Sequence, residues 1–423
     1  MSELHESMTI APGMLRGMVA GPPSKSVMQR VLAIVLLRNL SLKIFNAGSS
    51  ADDDVLKEIL KQAGFILEEI EPNILNIIAP VEKQSFTEIS FGESGLAARM
   101  MTPILALRNE RIKLIAKPAL EARPMTFLED VLPMLGVEVK SIGARFPAEI
   151  KGPMKIQDVS VDGALSSQFL TGLLLAFSMH ANDDVVIKVR NLVSKPYVEL
   201  TLKVISDFGL PIPKNEGFEK FYFQGNAALK TSPTQYTIEG DWSAASMWLV
   251  AGAIAGPITV SGLDAFSAQA DKKILEALMD AGASLSIEAS QITCDPATLK
   301  AFQFDATDCP DLFPALAVLA CYAKGTSVIE GLNRLEHKES NRALSIQSEL
   351  GKMGAEITFQ DNLMLIRGGA LIGAELHSFN DHRIAMMCAI AALGAEGDSR
   401  ILGADAVRKS YPNFFGELGR LRV

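Results

Sequence analysis

A pattern of 72 to 73 residues repeats along this 423-residue chain. Helix-like segments ending in glycine recur at residues 55–64, 127–136, 200–209, 274–282 and 346–354. Each terminal glycine suits a helix C-cap that leads into a strand. A constant period of this length restricts the chain to modules that bury their apolar faces on one another. A sixth copy starts near Asp381 and is cut short at Val423.

Each module also carries an earlier, more apolar helix, expected to begin near Ser24, Glu93, Leu165, Asp241, Asp311 and Asp381. Strand-like stretches at 41–45, 185–189, 258–261 and 327–330 fall between the two helices. The unit reads β-α-β-α-β-β. Six units suggest an α/β protein of two similar domains, each with three repeats whose buried helices are wrapped by sheets. The first domain is expected at 23–238 and the second, discontinuous, at 1–22 plus 239–423. The last three repeats lack a closing strand, which residues 7–10 or 14–19 could supply.

The first apolar helix follows Gly21-Pro22-Pro23-Ser24-Lys25-Ser26 and includes Gln29-Arg30 before the run Val31 to Leu37. Pro-Pro cannot continue a strand, and Ser24 or Ser26 can cap the helix. Being apolar on nearly every side, the helix is expected to be buried. Its N-terminus, with Lys25, Ser26 and Arg30, suits an anion, phosphate above all. Polar residues gather at the other helix mouths too: Glu93, Ser94, Gly95 and Arg99; Ser166, Ser167 and Gln168; Asp241 and Ser243; Asp311; and Asn380-Asp381-His382-Arg383. Further short motifs are Glu121-Ala122-Arg123-Pro124, Ser194-Lys195-Pro196-Tyr197, His337-Lys338-Glu339-Ser340-Asn341-Arg342 and Arg408-Lys409.

Each motif alone has a plainer meaning. Ser166-Ser167-Gln168 could cap a helix, and Asp311 after Pro310 could be an N-cap. Lys338 and Arg342, four apart with Glu339, could form a solvated helix face. His382 could be a core residue, and residues 121–124 a plain turn. Six mouths together are harder to explain by capping, because arginine is a poor cap and several carry one.

A net charge of −9 without a lysine- or arginine-rich stripe argues against nucleic acid as a partner. With 48% hydrophobic and 21% charged residues the chain reads as globular. Apolar runs such as 169–179 fall short of the ~20 residues a membrane span needs. Cys294, Cys309, Cys321 and Cys388 show no metal spacing and read as reduced core thiols. Residues 1–10 do not read as a signal peptide, so a cytoplasmic location is expected.

In family order, Pro23-Ser24-Lys25-Ser26…Arg30, Val161-Asp162-Gly163…Ser166-Ser167-Gln168-Phe169-Leu170, Ser194-Lys195-Pro196-Tyr197, Lys338-Glu339-Ser340-Asn341-Arg342 and Asn380-Asp381-His382-Arg383 resemble the 5-enolpyruvylshikimate-3-phosphate synthase family over essentially the whole chain. The resemblance implies two domains that close on substrate. It also implies transfer of the enolpyruvyl group of phosphoenolpyruvate to the 5-hydroxyl of shikimate-3-phosphate, with release of phosphate, on the way to chorismate and aromatic amino acids. No cofactor or metal is implied, and a monomer is expected. Ser26, Arg30, Ser166, Ser167, Ser194, Tyr197 and Lys338 would hold shikimate-3-phosphate. Gly95, Arg123, Arg342, Arg383 and Lys409 would hold phosphoenolpyruvate, with Lys25 and Gln168 reaching both. Asp311 would take the hydroxyl proton and also touch shikimate-3-phosphate, Glu339 would serve C3, and Lys25 would act as a further acid/base. The active site would lie in the cleft between the domains.

Two departures stand out. The loop usually reading Gly-Asn-Ala-Gly-Thr-Ala is here Gly92-Glu93-Ser94-Gly95-Leu96-Ala97, and Arg334 stands where the family can use asparagine. The enolpyruvyl transferases acting on UDP-N-acetylglucosamine resemble this chain in repeat plan. They have asparagine after the first lysine and a loop cysteine, whereas here Ser26 follows Lys25 and no cysteine lies near Arg123. A Walker-type nucleotide site fails because the glycine it needs before Lys25 is missing. A non-catalytic binder of phosphorylated sugars is the remaining alternative, with intact Lys25, Asp311 and Glu339 against it.

Overall fold

The structure, a computed structural model, describes residues 6–336 and 338–423; Met1 to His5 and His337, the first residue of one basic motif, lie outside the described residues. The chain separates into two compact units, Pro23–Ile238 and, together, the segment up to Pro22 with Glu239–Val423.

Three helices fill the inside of the Pro23–Ile238 unit: α1 (Lys25–Arg38), α2 (Gly95–Ala106) and α3 (Gln168–His180). Their burial follows from their composition. Val27 to Leu37 of α1, all of α2 and Phe169 to Ser178 of α3 are buried, so no side is left for water. An isolated module could not cover such a helix; three together, with sheets outside, can.

Each sheet follows one rule. The strand entering a buried helix runs parallel to the strand leaving it, and a hairpin adds two antiparallel strands. In the second module Glu88–Ser90 lies parallel to Arg111–Ile115, followed by Ala148–Lys151 and Glu138–Lys140. In the third, Val159–Asp162 and Val185–Arg190 are followed by Lys220–Phe223 and Lys214–Glu216. The first module's entering strand comes from the far end of the unit. Gln235–Thr237 pairs parallel with Leu42–Phe45, with Gln235 opposite Lys43, and the unit closes on itself.

The second unit repeats this plan around α4 (Trp242–Ala255), α5 (Phe313–Cys321) and α6 (His382–Ala392). Its closure uses both N-terminal stretches rather than one of them. Gly17–Ala20 pairs parallel with Ile258–Ser261 as the entering strand of the fourth module. Ser7–Ile10 pairs antiparallel with Ser399–Leu402 and takes the hairpin's place in the sixth.

The five glycines of the repeat all take positive φ, from 69° at Gly209 to 94° at Gly64 and Gly354, as the cap requires. Some expected helix starts move. α3 begins at Gln168 rather than near Leu165, and α5 begins at Phe313, after a 3-10 turn, Pro310–Leu312, that carries Asp311. The second module's outer helix is broken into Pro118–Glu121, Phe127–Asp130 and a 3-10 turn Pro133–Leu135. Pro124 and Pro133 remove the backbone donors that a continuous helix would need.

α2 and α3 pack closely at Gly172. A Cβ there would lie 2.2 Å from the Met100 carbonyl oxygen and 2.6 Å from Pro103 Cγ. Gly172→Ala is therefore expected to destabilise the protein by about 1–3 kcal/mol, read as a lower denaturant midpoint at unchanged m-value.

Candidate active site

In the Pro23–Ile238 unit the three helix mouths are tied to one another. Ser24 caps α1 by accepting from the Val27 N–H, which leaves Ser26 uninvolved in the cap. Ser94 caps α2 and also receives Gln29 Nε2 from α1 at 3.4 Å. Arg99 on α2 donates to Gln168 Oε1 on α3 at 3.2 Å and to the Pro124 carbonyl at 3.3 Å. Ser166 accepts the Gln168 N–H, so local capping is part of its role.

Arg30 is 1% exposed and, among the described residues, donates only to neutral acceptors: Thr201 Oγ1 at 2.9 Å, the Ser26 carbonyl at 2.7 Å and the Tyr197 carbonyl at 3.2 Å. Burial pulls its pKa down to about 10, so the guanidinium is still charged at neutral pH. It fixes Ser26 beside Tyr197, and each terminal nitrogen has a second N–H to offer an anion. Ser194, which starts the Lys195–Asp207 helix, is held at φ +59°, a strained region for a non-glycine residue. Gly95 lies against two guanidinium groups: a Cβ there would be 2.9 Å from Arg99 Nη1 and 3.1 Å from Arg123 Nη1. Leu96 is buried in the first turn of α2. Lys25 pairs with Asp52 at 2.9 Å, a partner from the Ala51–Gln62 helix that sequence reasoning missed. An acidic residue in a helix's first turn is ordinary, so nothing marked Asp52.

The second unit holds a denser network. Arg342 is fully buried and reaches three carboxylates: Asp311 at 2.7 Å, Glu339 at 2.6 Å and Asp381 at 3.0 Å. Asp311 also meets Lys338 at 3.3 Å and Arg383 at 3.2 Å. The plainer readings of Asp311 as a cap and of Arg342 as a solvated residue therefore fail. Asp381 does cap α6 through the Arg383 N–H, and at the same time anchors Arg342. His382 is 1% exposed, and Lys409 is buried on the Ala404–Lys409 turn beside α6.

Burial alone would raise the Asp311 pKa, but Arg383, Lys338 and Arg342 outweigh it and hold the carboxyl well below its usual range. Burial lowers the Lys338 pKa despite the Asp311 charge. For Arg342 burial is outweighed by Asp381, Glu339 and Asp311, and the pKa rises. The cluster thus presents ionised carboxylates interleaved with cations that an anionic ligand can recruit.

Removing the central guanidinium would leave three carboxylates facing one another. Arg342→Met is expected to destabilise the protein by about 3–5 kcal/mol at pH 7. The loss should shrink as pH falls toward 4, because carboxylates that have lost a cation in the variant protonate before those of the native protein. Denaturant unfolding at the two pH values checks both statements.

The family model for EPSP synthase (3-phosphoshikimate 1-carboxyvinyltransferase) matches residues 10–418. A Thermococcus kodakarensis protein named 3-phosphoshikimate 1-carboxyvinyltransferase is 37% identical over 407 residues, 96% of this chain and 98% of its own length. A Clostridium kluyveri protein of the same name is 34% identical over 418 residues, covering 98% and 97%. Among solved structures, an EPSP synthase from Acinetobacter baumannii superposes with a TM-score of 0.80 at 22% identity, covering 98% of each chain. The enolpyruvyl transferase NikO from Streptomyces tendae gives 0.77 at 20% identity, covering 98% of this chain and 96% of its own. These two establish the shared fold. With a family match over almost its whole length and relatives above 30% identity, the chain belongs to the EPSP synthase (3-phosphoshikimate 1-carboxyvinyltransferase) family.

Proposed function

We propose that the two clusters serve one reaction: transfer of the enolpyruvyl group of phosphoenolpyruvate to the 5-hydroxyl of shikimate-3-phosphate, with release of phosphate. The observation that carries this reading is the Asp311–Lys338–Arg342–Arg383–Glu339 network, which combines proton acceptors with anion-binding cations. Ser26, Arg30, Ser166, Ser167, Ser194, Tyr197 and Lys338 hold shikimate-3-phosphate. Gly95, Arg123, Arg342, Arg383 and Lys409 hold phosphoenolpyruvate, and Lys25 and Gln168 reach both.

The 5-hydroxyl oxygen bonds to C2 of phosphoenolpyruvate while its proton passes to Asp311 and C3 gains a proton through Glu339. The resulting tetrahedral intermediate loses phosphate from C2 and a proton from C3, which restores the vinyl group. Unliganded Asp311 is a weak base because three cations hold it. Substrate phosphate and carboxylate groups compete for Lys338, Arg342 and Arg383, and that competition returns basicity to Asp311. Lys25, paired with Asp52, supplies positive charge as phosphate leaves. The enzyme works as a cytoplasmic monomer in this reading; its fold as two self-closing units and the carry-over from its family support a monomer.

Asp311→Asn and Glu339→Gln should each lower kcat by about 10²-fold or more while shikimate-3-phosphate still binds. A phosphate-release assay requiring both substrates, with binding measured separately by calorimetry, tests this. Full turnover in either variant removes that residue from the chemistry.

A second outcome concerns the loop beside Gly95. A carboxylate at Glu93 opposes an anionic ligand, and buried Leu96 cannot donate a hydrogen bond. Glu93→Asn combined with Leu96→Thr should therefore lower both the KM for phosphoenolpyruvate and the inhibition constant of glyphosate, a phosphonate that occupies the phosphoenolpyruvate site in this family. If neither constant falls, the loop's departure is structural.

A further inference from the structure

The turn that delivers Asp381 to Arg342 has an unfavourable backbone. Phe379 and Asn380, between the Glu375–His377 strand and α6, both take φ +54°. Asparagine tolerates the left-handed region, but a bulky side chain such as phenylalanine enters it only where other contacts hold it there. Three hydrogen bonds do so. His377 Nδ1 accepts the Phe379 N–H at 2.8 Å, Ser378 Oγ accepts the Asn380 N–H at 3.2 Å, and the Ser378 carbonyl accepts the Asp381 N–H at 2.9 Å. The first fixes the strained phenylalanine itself. His377 acts there as asparagine or aspartate does in an Asx turn, accepting from the backbone two residues on. An imidazole in that role carries its proton on Nε2.

What the turn controls is the grip on Arg342. Asp381 accepts Arg342 Nε at 3.0 Å and Nη2 at 3.3 Å, together with the Ser340 hydroxyl at 3.2 Å. That grip leaves Arg342 Nη1 on Asp311 at 2.7 Å and Nη2 on Glu339 at 2.6 Å. The Arg342–Lys352 helix is fastened to the same turn by its other end, where buried Glu349 accepts the His377 N–H at 2.7 Å. The helix that starts with Arg342 is therefore held at both ends by residues 377–381.

We propose that His377 is a positioning residue for Arg342: its Nδ1 holds Phe379 in the left-handed turn, and the turn sets where Asp381 anchors the guanidinium. The inference rests on Arg342 holding phosphoenolpyruvate, as proposed above. Without the acceptor Phe379 relaxes toward ordinary backbone, Asp381 shifts, and the guanidinium loses the orientation in which it meets Asp311 and Glu339. Phosphoenolpyruvate then binds more weakly, whereas shikimate-3-phosphate, held in that reading mainly by residues of the Pro23–Ile238 unit, is little affected.

The test compares His377→Asn with His377→Gln in the full-length enzyme. Both side chains are neutral amides, but only asparagine places its oxygen where the N–H two residues on can reach it. The KM for phosphoenolpyruvate should stay near the native value in His377→Asn and rise roughly 3- to 10-fold in His377→Gln, the effect of one lost hydrogen bond. Shikimate-3-phosphate affinity, measured by calorimetry, should be unchanged in both. Partial misfolding would lower kcat at constant KM, so the KM separates positioning from plain stability. Equal KM values in the two variants, or an equal loss of affinity for both substrates, would overturn the inference. Should the glutamine variant not fold, His377→Leu, which has no acceptor, gives the same reading against His377→Asn. Arg342→Lys with an unchanged KM for phosphoenolpyruvate would instead sink the underlying assignment of Arg342.

Discussion

The structure depends on helices that have no polar side. A helix such as α4, apolar around its whole circumference, can persist only inside other protein. One module of about 72 residues cannot enclose it, but three can, with their sheets outside. This single requirement sets the repeat number per unit, the outward placement of the hairpins and the need for a borrowed strand. Gln235–Thr237 in one unit, and Ser7–Ile10 with Gly17–Ala20 in the other, complete sheets that would otherwise expose unpaired edges.

Burying the helices brings their N-terminal ends together, and the chemistry collects there. Partial positive charge from several helix ends and guanidinium groups accumulate in a protein whose net charge is −9. The two units handle this differently. Arg30 is buried against neutral carbonyl and hydroxyl oxygens, so its charge is retained for a ligand. Arg342 is buried against three carboxylates, and the local charge is nearly balanced before any ligand arrives. An anion entering the first cluster adds a missing partner. One entering the second must displace a partner, and that exchange changes the proton affinity of Asp311.

The carboxylates also differ in what surrounds them. Asp311, with Arg383, Lys338 and Arg342, is held ionised, whereas Asp271, buried against the Ser243 hydroxyl, is pushed toward protonation. Acid groups in one unit are thus separated in proton affinity by position alone, the arrangement that acid–base chemistry requires.

The repeat, the buried helices and the glycine caps were legible in the sequence, because period, apolarity and positive φ are local properties. The family motifs were legible for the same reason, each being a short run around one helix mouth. Which N-terminal stretch closes the second unit was not, since residues 7–10 and 14–19 read as equally able to pair; only the sheets show that both are used. Charge partners were also hidden. Nothing in the sequence marked Asp52 as the partner of Lys25, and Ser243, singled out at its helix mouth, gave no sign that it would donate to Asp271. Ion pairs depend on distances between side chains tens to hundreds of residues apart, and no periodicity encodes those distances. The sequence alone determined which modules form and which side chains stand at their mouths. The tertiary structure decided which charges meet, and therefore which carboxylates hold their protons.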